Sequence, residues 1–524
     1  MTPLQRRAFL QYASGAAAAG TLPRWAWSNS PVQHDPFALG VASGDPTPEG
    51  VVLWTRLQPT PDHPFTAQLT VHWELADDPA FRHIVQRGQA TALPALGHSV
   101  HVEVTGLAPA RWYHYRFMLG DAASTTGRTR TAPAADALDA HLRIAFASCQ
   151  RWEHGHYAAW RHLCADQPDL VLFLGDYIYE YATPPITTGL ARVHTLRHAS
   201  TLADFRDRYA LHKSDPALQA AHAACPWAVT WDDHEVQNDY ASAQGKGSQG
   251  DPAAFLALRS AAWQAFYENM PLRAASLASP DFGALQVYRR LRWGRLANVH
   301  LLDTRQHRSW QACRATDTGG AAAVRPQDCA ALADPQRSLL GATQEQWLDA
   351  GLAADARHDR TRWSVMAQQT LFSPRRYPSG VVSTDSWDGY PGARARLLQS
   401  LARHAPRNSV LLGGDIHQNY VCKVQSEAAG GQPSSPEVIA SEFCGTSISS
   451  RAGTTQDKVD AIARHNPHVL LARSDQRGYG LADITPQRWT TTLRVVDDPL
   501  RADSGASTQA RFVVEDGRAG PVPA

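Results

Sequence analysis

The side chains best placed for chemistry each follow a short apolar run: Cys149 with Arg151 just beyond it, Asp176 with Tyr179, Asp233 and His234 with Asn238, and Asp415 with His417. The donors are a thiol, carboxylates, a phenol, an amide and imidazoles. Hard divalent cations such as Ca²⁺ or Mg²⁺ prefer oxygen. Thiolate and phenolate favour a softer or redox-active metal. The set therefore suits two unlike metals better than one. Taken singly, each residue has a plainer reading. An aspartate after a glycine caps a helix or closes a turn, a tyrosine packs in a core, and a cysteine acts as a small buried hydrophobe. The combination is what points to metal.

Elements must bring these residues together, because they span almost 270 positions. Leu142 to Ala147 reads as a strand ending at Ser148-Cys149, and Asp169 to Leu174 as one ending at Gly175-Asp176. Ala228 to Trp231 ends at Asp232-Asp233-His234-Glu235, Asn298 to Leu302 at Asp303, Trp363 to Ala367 at Gln368-Gln369, and Ser409 to Leu412 at Gly413-Gly414-Asp415. Strands this apolar are buried on both faces with helices between them. In α/β sheets, ligands bind beyond the carboxyl ends of the strands. Upstream, period-two alternation at Leu69–Leu75, Val100–Val104 and Tyr113–Phe117 predicts a small antiparallel sandwich over residues 36–133. The run Gly106 to Tyr115 resembles a late strand of fibronectin-III-like modules, and Thr129 to Asp139 reads as a linker.

Gly175-Asp-x-x-Tyr179, Asp233-His-Glu235 and Gly414-Asp-x-His417, in that order, resemble the calcineurin-like metallophosphoesterases. Within them, Ser148-Cys-Gln150, Leu174-Gly-Asp-Tyr-Ile-Tyr179, Trp231-Asp-Asp-His-Glu-Val236 and Gly413-Gly-Asp-Ile-His417 are similar to the PhoD-like alkaline phosphatase/phosphodiesterase family, as are Asp303-Thr-Arg-Gln306, Ala367-Gln-Gln369 and Glu442-Phe-Cys-Gly-Thr-Ser447. The resemblance runs from about Pro36 to Asp498. It implies an α/β (α+β) four-layer β-sandwich flanked by helices over residues 140–500, preceded by a small all-β fibronectin-III/Ig-like domain and followed by a tail over 501–524. It further implies Fe³⁺ held by Cys149, Tyr179 and His417, with Asp176 bridging to Ca²⁺. Asp415 would serve the calcium side, with Asp233 or Asn238 beside it. The implied reaction is hydrolysis of phosphate monoesters or diesters by metal-activated hydroxide attack, with His234 as phosphoryl contact or general acid and Arg151 as a phosphate contact. A phospholipase D-like phosphodiesterase is a second reading. A non-catalytic exported binding module with structural metals is a third. Asp303, Arg305, Gln368 and Gln369 match the family's motifs without a role that the sequence assigns.

The remaining features bound this reading. A length of 524 residues predicts more than one core. A net charge of +1 excludes bulk attraction to nucleic acid or an anionic membrane, so an anionic substrate must be attracted locally. No stable nucleic-acid or membrane partner is expected, and the chain is expected to be a monomer. Residues 1–30 carry Arg6-Arg7, Phe9-Leu10 and a short Ala/Gly-rich run, which resembles a twin-arginine export signal. The expected destination is the periplasm or the exterior, reached through the Tat translocon. Of seven cysteines, Cys313 and Cys329 lie 16 apart in a Gly/Ala/Asp-rich stretch and are expected to pair in an oxidising compartment.

Overall fold

The computed structural model describes residues 32, 34–246, 251–279, 281–314, 320–357, 361–426 and 436–524; the expected export signal lies outside them. Two large sheets face each other. The first has ten strands, in the order Val522–Pro523, Ala506–Glu515, Arg488–Val496, Arg477–Ile484, Leu142–Ala147, Leu170–Leu174, Trp227–Thr230, Val41–Thr47, Gly50–Arg56 and Ser99–Val104. The second has seven: Arg289–Trp293, Ala297–Leu301, Trp363–Ala367, Ser409–Gly413, Val438–Cys444, Asn419–Gln425 and Val469–Arg473. The strands that end at the candidate residues pair in parallel within each sheet, so their carboxyl ends share an edge.

Burial accounts for the layering. Ile144, Phe146, Leu172 and Leu174 of the first sheet pack on Val299, Val365, Val410 and Leu412 of the second. The alternate residues Ala145, Val171, Phe173 and Val229 point the other way, onto helices that include Ala158–Ala165 and Pro252–Asn269. On the far side, Met366 and Leu411 meet the helices Ala342–Ala356 and Pro391–His404. Period-two side chains on doubly covered strands thus give the expected helix–sheet–sheet–helix sandwich.

One expectation needs correction and two are sharpened. The N-terminal sandwich is present, its two layers packing through Val51, Leu53 and Val102 on one side and Val71, Leu75, Tyr115 and Phe117 on the other, but it is continuous with the main sheet. Its strands Ile84–Ala92, Leu69–Ala76, Trp112–Leu119 and Gly127–Arg130 form one sheet of their own. Its other strands extend the main sheet, because Gly44 pairs with Trp227. A β-carbon at Gly44 would stand 2.5 Å from the Pro271 carbonyl oxygen and 2.8 Å from that of Trp227. Only glycine permits this seam, and an alternation pattern cannot report it. The fibronectin-like likeness does survive locally: the Tyr113 hydroxyl reaches back to the Ala108 main chain, as in a tyrosine corner. Secondly, Thr129 and Arg130 belong to a strand rather than the linker. Thirdly, the tail over residues 501–524, strand-like from Ala510 to Val514, pairs back onto the main sheet. Phe512 and Val514 bury in the inter-sheet core, and Ala506–Glu515 pairs along Arg488–Val496.

Candidate metal centre

The strand ends deliver the candidate residues in strained turns. Cys149, Asp176, Asp415 and His417 have φ of 59°, 58°, 65° and 54°. Non-glycine residues rarely adopt this left-handed region, and they persist there only where the surroundings over-determine them. Two glycines make room. A β-carbon at Gly175 would lie 2.5 Å from Asp232 Cβ, and one at Gly414 would lie 2.3 Å from Ser148 Oγ. Glu235 fastens the turns together: its carboxylate accepts the main-chain N–H groups of Tyr177 (2.5 Å), Asp232 (2.7 Å) and Asp176 (3.1 Å).

Three groups of donor atoms result, each lying within 4.8 Å of one another: Cys149, Asp176 and His417; Asp176, Asp233 and His234; and Asp232, Asp233 and Asp415. Asp176 belongs to the first two and Asp233 to the last two, so the groups form a chain. Tyr179 joins the first. Its hydroxyl donates to Asp176 Oδ2 (2.9 Å), lies 3.2 Å from His417 Nε2, and accepts from Ser450 Oγ (2.8 Å). The His417 Nδ1 meets the Arg451 carbonyl at 2.7 Å, leaving Nε2 facing inward. Cys149, Asp176 and Tyr179 are buried, whereas Asp415 and His417 are half-buried and mark the open side.

The electrostatics fit cations. Burial pushes the Cys149 thiol and the Asp176 carboxyl well up, reinforced by neighbouring carboxylates. Burial raises Asp415 to about 6 and drives His417 down to about 4. Asp233 is held low: although burial opposes it, Arg305 and His234 favour its charge. Asp176 Oδ1 and Asp232 Oδ2 are buried without a hydrogen-bond partner, and Asp233 Oδ1 has only the Arg305 guanidinium at 3.4 Å. Buried carboxylate oxygens are normally satisfied. Orphaned oxygens converging with a thiol, a phenol and imidazoles are what bound cations would satisfy, and a cation reverses the preference for neutral forms.

The comparisons identify the architecture. The model of the PhoD-like phosphatase family matches residues 144–493, and that of the PhoD-like phosphatase N-terminal domain matches residues 24–133. The chain belongs to the PhoD-like phosphatase family. It is 42% identical over 497 residues to alkaline phosphatase D of Bacillus subtilis (strain 168), covering 93% of this chain and 82% of that one. The solved structure of PhoD matches with a TM-score of 0.86 at 40% identity, over 94% of this chain and 93% of the other. This PhoD-like chain is therefore a phosphoesterase acting on a small phosphoester. The non-catalytic reading falls.

Within this PhoD-like phosphatase, most of the residues named from sequence converge. Asn238 is half-buried and donates its main-chain N–H to Glu180 Oε1 (2.8 Å). Arg151 lies at the rim. Its guanidinium stands 5.2 Å from the Tyr181 ring and 5.7 Å from the Tyr179 ring, and its Nε meets Glu153 at 3.3 Å. Glu180, Asp239 and Asp385 had no role in the sequence reading, and Arg305 gains the role its motif left open. Glu180 accepts His234 Nδ1 at 2.7 Å. Arg305 is fully buried and pairs with Asp232 (2.5 Å), Asp385 (2.9 Å) and Asp233 (3.4 Å). Asp239 donates its N–H to Asp233 Oδ2 (2.6 Å). Glu180 directly follows the Tyr179 motif; Asp385 opens the aromatic, turn-rich stretch 385–391, whose composition suggests a cleft wall and not an ion-pair partner. Asp303 and Gln369 gain structural roles. Asp303 Oδ1 accepts the N–H groups of Arg305 and Gln306. The Gln369 amide binds the Trp231 and Leu302 carbonyls.

Proposed function

We propose that this phosphoesterase works with Fe³⁺ held by Cys149, Asp176, Tyr179 and His417, and Ca²⁺ held among Asp232, Asp233 and Asp415. Its substrates on this reading are phosphate monoesters or diesters. Asp176 bridges on this reading: it shares one donor group with Cys149 and His417 and another with Asp233, which in turn groups with Asp232 and Asp415, and this chain of groups carries the proposal. Such cations, when bound, activate water and neutralise phosphoryl oxygens. The chain's own residues do the rest. Glu180 fixes the His234 ring through Nδ1, which leaves Nε2 to donate a proton toward a leaving oxygen. Arg151, anchored by Glu153 and flanked by Tyr179 and Tyr181, presents donors to a phosphoryl oxygen. Half-buried Asp415 and His417 leave a mouth for a small ester. The chain acts as a monomer after export through the Tat translocon to the periplasm or exterior. The Arg6-Arg7 leader and the Cys313–Cys329 disulfide support that location.

The test is the visible spectrum of the exported protein. A ferric phenolate gives a broad charge-transfer band, which Tyr179→Phe abolishes. A colourless, active protein that contains iron would rule Tyr179 out as a ligand.

A further inference from the structure

We propose that the Cys313–Cys329 disulfide holds Gln311 and residues 320–324 as a strap that positions the carboxylate pocket and sets its affinity for a divalent cation. The inference rests on the reading of Asp232, Asp233 and Asp415 as cation ligands. Two routes lead from the strap to those residues. Just before the crosslink, Gln311 Nε2 donates to the Asp239 carbonyl (2.8 Å) and to Asp385 Oδ1 (2.8 Å). Inside the loop, the Ala321 N–H donates to Asp239 Oδ2 (3.0 Å). Ala322 exchanges hydrogen bonds with Thr384, next to Asp385. Ala323–Val324 pairs with Val382–Ser383.

Asp239 and Asp385 pass this placement on. Asp239 holds Asp233 Oδ2 through its main-chain N–H at 2.6 Å. Asp385 holds Arg305 and Arg308, and Arg305 pairs with both Asp232 and Asp233. Contact is close at the strap: Gly320 sits at φ 82°, and a β-carbon there would lie 3.1 Å from Asp239 Cβ. Among the described residues, the strap has little apolar core to hold it. Its buried cluster is Ala312, Cys329 and Leu332, with Val324 and Val382 partly covered. Three small or medium side chains secure a loop weakly, and one of them is half of the crosslink. The covalent bond is therefore what keeps Gln311 and Ala321 against Asp239.

Calorimetric titration with calcium chloride alone, on iron-loaded protein, tests this. Partners that orient metal ligands typically change affinity by about 10–100-fold. The variant Cys313→Ser/Cys329→Ser is expected to bind calcium about tenfold or more weakly, with iron content and the visible band unchanged. Equal calcium affinity overturns the strap, as does loss of iron alongside calcium, which signals general collapse. If the double variant does not fold, Gln311→Leu decides. It keeps the crosslink and loses both side-chain bonds, so unchanged calcium affinity there overturns the proposal. Absence of calcium binding in the unaltered protein overturns the carboxylate-pocket reading itself, and the strap with it.

Discussion

The two halves of the centre are built on opposite electrostatic plans. Around Cys149, Tyr179 and His417, the donors are neutral in the bare protein and satisfy one another through Tyr179, Ser450 and the Arg451 carbonyl. Around Asp232, Asp233 and Asp415, three carboxyl groups crowd together, and the buried guanidinium of Arg305 pairs with Asp232 and Asp233. A redox-active ion entering the first half would displace protons from the thiol and the phenol. A hard ion entering the second must share its carboxylates with an arginine that cannot leave. The first half should therefore retain its metal and the second exchange it.

The largest effect is expected at the shared carboxylate. Asp176→Asn should depress turnover by on the order of 10³ and lower the content of both metals. Loss of one metal alone would show that Asp176 does not bridge. A calcium-selective chelator should then separate the halves, abolishing most turnover reversibly while the visible band persists. Simultaneous bleaching would show that the halves do not differ in exchange. Arg305→Met should leave buried carboxylates unpaired and destabilise the calcium-free protein by about 3–5 kcal/mol, with calcium restoring part of the loss. Thermal unfolding with and without calcium reads this, and an unchanged midpoint would remove the arginine from the comparison. The smallest effect is expected at Glu180→Gln, about 10–100-fold in kcat with calcium affinity unaltered. A change in KM alone would assign Glu180 to substrate binding instead of to His234.

The convergence of the first half was legible in the sequence because each candidate residue follows an apolar strand: Cys149 after Leu142–Ala147, Asp176 after Leu170–Leu174, His417 after Ser409–Gly413. Strand periodicity and the shared carboxyl edge were enough. The second half was only partly legible. Asp233 and Asp415 obey the same rule, but Arg305, Asp239 and Asp385 sit in loops whose approach depends on tertiary packing. The seam at Gly44 hid for a similar reason, since one pairing made possible by a missing side chain leaves no pattern along the chain. The strand Ala506–Glu515 was visible as an apolar run, yet its partner could not be named from the run itself.

The main sheet also sets an order of assembly. The strand Leu142–Ala147, which leads into Cys149, pairs on one side with Leu170–Leu174, close in sequence, and on the other with Arg477–Ile484. Ser450, which binds both the Cys149 carbonyl and the Tyr179 hydroxyl, likewise comes some 300 residues after the cysteine. During synthesis the thiol emerges long before the segments that cover it, and pairing over such separations is slow. The pocket around Cys149 is therefore completed only when nearly the whole chain has left the ribosome.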